Sequence, residues 1–331
     1  MTALRARIES IWYGGAPVPF WLAALVPAYR SLRAIHLAPY RFGWRVPKRI
    51  GVPLIVVGNL TVGGSGKTPL TIALVEALRL RGWKPGVVSR GYGGVQREPL
   101  LLDDMPTPAR VGDEPCLIRQ RTGVPVAVGR DRHRAALLLL ERGVDVVIAD
   151  DGLQNPALAR DIEVCVIDGQ RRFGNARLLP AGPLREPLAR LAGIALNVCN
   201  GGVAQTGETS MRLVGDMAVP VTRSASVRPL ESFSGQRAHG VAAIGNPERF
   251  FDGLRAHGIE VVPHAFPDHH AFAAADLAFG DDLPVLMTEK DAVKCTAFAS
   301  QSFWCVPVRA ELPEAFFDAI VDQLRARPKG Q

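Results

Sequence analysis

Residues 54–78, LIVVGNLTVGGSGKTPLTIALVEAL, decide the fold. A short apolar block runs through a glycine-rich turn into a segment with helical spacing. An apolar strand, GGSGKT and a helix beginning near Lys67 are the setting in which backbone N–H groups and a helix N-terminus face an anion. Gly63, Gly64 and Gly66 allow positive φ and close backbone approach. Lys67 is placed to reach the β- and γ-phosphates of a nucleotide, and the Thr68 hydroxyl to ligate Mg²⁺. Pro69 does no harm, because an N–H in the first helical turn has no partner there. The candidate phosphate-binding loop is Thr61, Val62, Gly63, Gly64, Ser65, Gly66, Lys67 and Thr68. Its spacing is irregular, since G-x-x-x-x-G-K-[ST] wants a glycine where Thr61 stands. Such a loop is workable if the chain enters through Thr61 without positive φ.

Outward from this stretch, apolar runs at 52–57, 84–89, 124–128, 144–149, 162–167 and 194–199 read as buried strands. Helical patterns lie between several of them, from Pro69 to Leu80 closed by Gly82 and from Asp131 to Arg142 closed by Gly143. The alternation predicts an α/β fold of P-loop NTPase type, with a mostly parallel sheet flanked by helices. Between 205 and 238 the apolar density falls, which places a boundary near 220. Beyond it a smaller α/β unit is expected, with strands GVAAIG, IEVVP, PVLMT and FWCVPV, a helix PERFFDGLRAHG and a last helix from about Pro313. The division is then 1–46, 47–220 and 221–331.

A chain of 331 residues with 47% apolar and 21% charged residues buries a real core. Five cysteines without a C-x-x-C pair argue against a disulfide framework or a cysteine zinc site, and fit a reducing compartment. The net charge of +7 is local: residues 1–50 carry eight bases against Glu9 alone, and the rest balances to zero. A nucleic-acid groove more often draws bases from across the fold, so no nucleic-acid partner is expected. The same end is rich in aromatics, and its longest uncharged run holds Pro17, Pro19 and Pro27, too short and broken for a membrane span. No signal-peptide cleavage site is evident. A helix from about Pro19 to Ile35 puts Trp21, Leu22, Leu25, Tyr29 and Leu32 on one broad face with Arg30 and Arg33 at its edge. This suits either an anionic bilayer interface or a core-packing helix with a basic flank.

Several short patterns carry chemistry. VDVVIADDGLQ ends a buried strand on Asp150 and Asp151, at the sheet edge where such folds bind ligands, as in a Walker B strand. RVGDEP puts Asp113 and Glu114 at a helix start, as a base or as ordinary N-terminal acids. FPDHH offers Asp268, His269 and His270, fit for proton exchange with a carboxylate, for a plain loop, or for a weak metal site with His264. LLPAGPLREPL supplies Arg185 and Glu186, SRGYGG supplies Arg90 and Tyr92, and GRDRHRAA supplies Arg130, Arg132 and Arg134; each fits phosphate contact or surface charge.

In order, GNLTVGGSGKTP, SRGYGG, VGDEP, DDGLQ, LLPAGPLRE, FPDHH and LMTEKDAVK make a chain that resembles the tetraacyldisaccharide 4'-kinase family over nearly its whole length. The family's loop also lacks the first Walker glycine. The resemblance implies transfer of the γ-phosphoryl of ATP, with Mg²⁺, to the 4'-hydroxyl of a tetraacylated glucosamine disaccharide 1-phosphate in lipid A biosynthesis. It implies Asp113 as base, His269 as its partner and Lys67 on the phosphates. Asp150, Asp151 and Gln154 match the metal and nucleotide region with Glu186 nearby, and Asn155 stands where histidine is expected. It further implies a peripheral enzyme at the cytoplasmic face of the bacterial inner membrane, met by its lipid A disaccharide precursor and an anionic membrane surface, with no obligate protein partner. A membrane-associated regulatory or partitioning P-loop ATPase or GTPase is the alternative. Val62 stands where a partitioning ATPase has a second lysine, and Lys290 directly precedes Asp291 without the spacer of a guanine-reading motif.

Overall fold

The computed structural model describes residues 3–222 and 226–327, and for Ala3 and Arg5 the backbone only. The outer ends of the expected segments 1–46 and 221–331, and residues 223–225 within the latter, lie outside the described residues. Two helices open the chain, α1 (Ala3–Tyr13) and α2 (Phe20–Arg41). Then come β1 (Leu54–Gly58), α3 (Lys67–Leu80), β2 (Pro85–Ser89), β3 (Leu100–Leu101), α4 (Pro108–Val111), α5 (Asp113–Thr122), β4 (Val126–Val128) and α6 (Arg132–Leu140). They are followed by β5 (Val146–Asp150), β6 (Ile162–Asp168), β7 (Leu196–Asn200) and β8 (Glu208–Val214). A second set comprises β9 (Met217–Pro220), β10 (Arg228–Pro229), β11 (Arg237–Ala242), α7 (Pro247–Ala256), β12 (Glu260–Ala265), β13 (Val285–Thr288), α8 (Glu289–Cys295) and β14 (Phe303–Val306). The chain ends with β15 (Arg309–Glu311) and α9 (Glu314–Ala326).

The larger sheet has nine strands in the order β15-β8-β7-β6-β1-β5-β2-β4-β3. Its pairings are parallel except those of the two edge strands, β3 and β15. Every residue of β1, β2, β4 and β5 is buried, as a parallel sheet covered on both faces demands. On one face α3 buries Leu70, Leu74, Val75 and Leu78, and α9 adds Phe316, Phe317, Ile320 and Leu324 to the same core. The smaller sheet has six strands, β10-β9-β14-β13-β11-β12, with β12, β11, β13 and β14 parallel.

The chain crosses to the smaller sheet at Gly215–Asp216 and returns at Pro307–Val308, so β15 and α9 belong with the larger sheet. The two crossings run side by side, tied by an Arg309–Asp216 ion pair at 3.1 Å. The apolar-poor stretch that marked a boundary in the sequence holds β8, β9 and β10. These strands are short or half-exposed, which thins their hydrophobic signal.

Helix α2 runs six residues past the expected end at Ile35, and its expected single face divides in two. Leu22, Val26 and Tyr29 turn inward, with the Tyr29 hydroxyl donating to the Arg185 carbonyl at 2.8 Å. Arg33 also turns inward, to Glu186 at 2.8 Å, instead of edging an outer face. Phe20, Trp21, Leu25, Leu32 and Ile35 face solvent. The division follows from position, because residues 22, 26, 29 and 33 share one helical row and 21, 25, 32 and 35 another. Among the described residues no helix is long and apolar enough to cross a membrane.

Candidate active site

The turn after β1 is built for an anion. Thr61 forms an antiparallel bridge with Leu184, and Val62 N–H donates to the Pro183 carbonyl at 2.9 Å, so the chain enters the loop extended. A glycine is therefore dispensable at Thr61, where φ is not positive. Gly66, at φ 95°, caps α3 in the left-handed region. A Cβ there would lie 2.3 Å from the Asn200 amide nitrogen, which donates to the Ser65 carbonyl at 2.9 Å from the end of β7. The backbone of the smaller unit reaches the loop at Gly245, where a Cβ would stand 2.2 Å from the Gly64 nitrogen. Arg171 holds that contact by donating to the Gly245 carbonyl at 2.9 Å, and Arg249 pairs with Asp168 at 2.8 Å across the same seam.

Asp150 and Asp151 lie at the carboxyl end of β5, beside β1. Asp151, at φ 50°, points its carboxylate at Lys67 Nζ (3.7 Å) and Arg185 (3.2 Å). Burial pushes its proton affinity up, but the two cations win and hold it well below the usual carboxylate range. Asp150 is fully buried, accepts from Thr71 Oγ1 at 3.1 Å and leaves Oδ2 without a partner. Burial first, then Glu114, push it up to about 7. A buried carboxylate oxygen without a donor costs about 1–3 kcal/mol or more, and a divalent cation is one group that would relieve it. The Gln154 Oε1 is a second buried acceptor without a donor. Among the described residues no cluster of three or more His, Cys, Asp or Glu could cage a metal alone. That suits Mg²⁺, which takes one or two carboxylates and completes its shell with water and phosphate. Glu186 is committed elsewhere: one oxygen takes Arg33 at 2.8 Å and the other takes Gln154 Nε2 at 2.9 Å.

Asp113 opens α5 and accepts from the Glu114 N–H at 2.9 Å, so its carboxylate stands at the positive end of the helix. It is only 4% exposed. His269 Nδ1 lies 3.1 Å from both of its oxygens, brought by the loop between β12 and β13. That histidine holds φ 61°, uncommon for a residue with a side chain, and its ring packs 4.8 Å from that of Tyr92. Burial raises the Asp113 affinity for a proton, yet the His269 hydrogen bond and the ammonium groups of Lys290 and Lys294 carry it below the ordinary value. Burial lowers that of His269, and the Asp113 bond reverses this to a net rise. His270 turns away to Asp276 at 3.1 Å, and His264 to His239 at 2.9 Å, so the weak metal site with His264 does not form.

Lys67, Asp151 and His269 line one cavity of about 880 Å³. Leu4, Ile8, Trp12 and Tyr13 of α1 form another of its walls. The arginines of GRDRHRAA separate. Arg130 and Arg132 line the cavity, whereas Arg134 is exposed and lies 3.9 Å from Glu98. Arg132 is only 6% exposed and, among the described residues, its side chain has no hydrogen bond or ion pair. Burial lowers its proton affinity, partly offset by Asp151 and Asp150. A second cavity of about 250 Å³ lies behind the phosphate loop, walled by Pro69, Ile72, Leu213 and Phe250 with Asn200 at its rim. Lys290 and Lys294, which converge on Asp113, escaped the sequence reading. They sit on α8, seven residues long, inside LMTEKDAVK, a stretch that carries the family resemblance and was weighed as a guanine reader, but in which neither lysine was given a role.

A family model described as tetraacyldisaccharide-1-P 4'-kinase matches residues 18–325. A tetraacyldisaccharide 4'-kinase of Stenotrophomonas maltophilia is 53% identical over 328 residues, 96% of each chain. One of Xanthomonas euvesicatoria pv. vesicatoria is 51% identical over 337 residues, 98% of this chain and 97% of its own. In three dimensions the chain is similar to LpxK of Aquifex aeolicus in complex with ATP, with a TM-score of 0.74 and 26% identity over 91% of this chain and 99% of that one.

Proposed function

The chain belongs to the tetraacyldisaccharide 4'-kinase family, and on that premise we propose how its two cavities divide the work. The reaction is transfer of the γ-phosphoryl of ATP to the 4'-hydroxyl of a tetraacylated glucosamine disaccharide 1-phosphate, a step of lipid A biosynthesis. The single observation that carries the division is that Lys67 and His269, 202 positions apart in the chain, line the same cavity.

The phosphates rest in the loop of residues 61–68, on its N–H groups from Gly63 onward and the N-terminus of α3, with Lys67 on the transferred group. The purine fits the second cavity, where Asn200 and the apolar walls meet the loop. Mg²⁺ is held by Thr68, Asp150 and Asp151, with Gln154 and Glu186 bracing that edge. When bound, it neutralises charge on the phosphates. Arg132, a buried cation lining this cavity, is suited to charge gathering on the moving phosphoryl group in a dry site.

The acceptor proton goes to the Asp113–His269 pair. Asp113 was read as the base, but its burial behind His269 makes the imidazole the cavity-facing member and the carboxylate its anchor. As the hydroxyl oxygen bonds to phosphorus and ADP departs, its proton passes to the pair, whose charge Asp113 stabilises. A loose phosphoryl-transfer transition state asks little early deprotonation, so a weak acceptor suffices.

The acyl chains of such an acceptor stay in a bilayer. The outward row Phe20, Trp21, Leu25, Leu32 and Ile35, with Arg30 and Arg41 on the same helix, fits an anionic interface, which we place at the cytoplasmic face of the inner membrane. The headgroup enters between α1 and the carboxyl edge of the larger sheet. Incubation with γ-labelled ATP, Mg²⁺ and the disaccharide monophosphate should yield a labelled bisphosphorylated lipid on chromatography. Label appearing only in inorganic phosphate would refute the acceptor reading and return the ATPase alternative.

A further inference from the structure

We propose that Lys290, backed by Lys294, is a positioning residue that limits how tightly His269 holds a proton, with Asp268 as its counterweight; this rests on the reading of Asp113 and His269 as the proton acceptor. The geometry is a charge balance around one imidazole. On the Nδ1 side stands Asp113, at 3.1 Å. On the Nε2 side Lys290 Nζ lies at 3.4 Å and Asp268 Oδ1 at 3.8 Å. Lys290 Nζ also lies 3.1 Å from Glu114 Oε1, 3.3 Å from Asp268 Oδ1 and 3.9 Å from Asp113 Oδ2. Lys294, one turn along α8, lies 3.9 Å from Asp113 Oδ2 and 2.8 Å from Asp291 Oδ1. Tyr92 packs its ring against the imidazole, with centroids 4.8 Å apart.

These contacts make Lys290 a fixed charge. Burial pulls its proton affinity down, but Glu114, Asp268 and Asp113 more than reverse this, so it stays an ammonium throughout the working pH range. Two carboxylates, Asp113 and Asp268, favour a proton on the imidazole, and an imidazole that already holds one can accept no other. The ammonium beside Nε2 opposes that proton: for His269, Asp113 and Asp268 act upward and Lys290 downward. It also favours the tautomer with hydrogen on Nδ1, donated to Asp113, and the lone pair on Nε2.

The test is the pH dependence of kcat at saturating ATP and acceptor. The wild type should show an acid limb that vanishes in His269→Ala. Removing a charge within about 4–6 Å moves a titration by about one unit or more. Lys290→Met should therefore carry the limb about one unit towards higher pH. Turnover then falls about tenfold near neutrality and recovers at alkaline pH. Lys290→Arg should leave the limb in place, and Asp268→Asn should carry it towards lower pH. Opposite displacements cannot come from a merely structural prop. A limb that depends on His269 but stays put in Lys290→Met and Asp268→Asn, with the same fractional loss at every pH, overturns the role of Lys290 alone. A wild-type profile with no limb dependent on His269 overturns the acceptor reading beneath it. Should Lys290→Met not fold, the direction of the Asp268→Asn shift and the retained limb of Lys290→Arg decide.

Discussion

The two halves of the cavity are made in different ways. The side proposed for the nucleotide's phosphates is assembled from one continuous segment: β1, the loop through Gly66 and the first turn of α3. Its ligands are backbone N–H groups, positioned by φ angles that glycines supply locally. The side proposed for the acceptor is assembled from three distant segments, since Asp113 comes from α5, His269 from the loop after β12 and Lys290 from α8. Its ligands are side chains whose proton affinities are set by each other. A local device can be damaged only within itself or at the surfaces that touch it. An assembled device depends on how the smaller unit sits on the larger one.

The largest effects should separate the two sides. Lys67→Ala removes the one side-chain cation of the loop and should lower turnover about a thousandfold or more while weakening ATP binding in calorimetry. Asp113→Asn should lower turnover by about 10²–10⁴ with ATP affinity unchanged. Equal losses of ATP affinity in both variants would break the comparison, because the carboxylate would then belong to the nucleotide side.

That contrast also explains what could be read from the chain alone. The parallel sheet was legible because β1, β2, β4, β5 and β6 are short apolar runs bounded by turns. The loop was legible because GGSGKT is contiguous. Asp113 and His269 came from resemblance, since a carboxylate at a helix start and a histidine in a loop carry no signal of meeting. Lys290 and Lys294 were invisible for the same reason, and the burial of Arg132 separates it from Arg130 and Arg134 only in three dimensions. The inward row of α2 was misjudged because Tyr29 and Arg33 look equally suited to a bilayer edge, and only their partners Arg185 and Glu186, more than 150 residues away, turn them inward.

A middling effect should come from the seam between the halves. Gly245→Ala places a methyl 2.2 Å from the Gly64 nitrogen and 3.1 Å from the Gly63 carbonyl carbon, both backbone atoms that cannot step aside alone. Either the phosphate loop deforms or the smaller unit lifts, taking His269 and Lys290 with it. The expected loss in kcat/KM is about ten- to hundredfold, since misplacement by an ångström costs that order. Calorimetry sharpens the comparison: weaker ATP binding indicates a deformed loop, and unchanged binding with slow turnover indicates a displaced acceptor side. Wild-type behaviour in both would show that the backbone contact does not couple the halves.

The smallest effect lies outside both halves, on α2, and it separates docking from chemistry. Trp21 and Leu32, 52% and 67% exposed, belong to the outward row, whereas Tyr29 belongs to the inward one. Partial insertion of such a side chain at a bilayer surface contributes on the order of 1 kcal/mol, so Trp21→Ser and Leu32→Ser should each weaken binding to anionic vesicles about fivefold. Turnover on acceptor dispersed in detergent should not change, because neither side chain touches the cavity. Tyr29→Phe keeps the outer row and loses only the hydrogen bond to the Arg185 carbonyl, so its vesicle binding should match wild type. Equal vesicle binding in all three variants would mean that the outward row does not meet the bilayer, and that the acceptor reaches the cavity by a wall other than the one α1 and α2 provide.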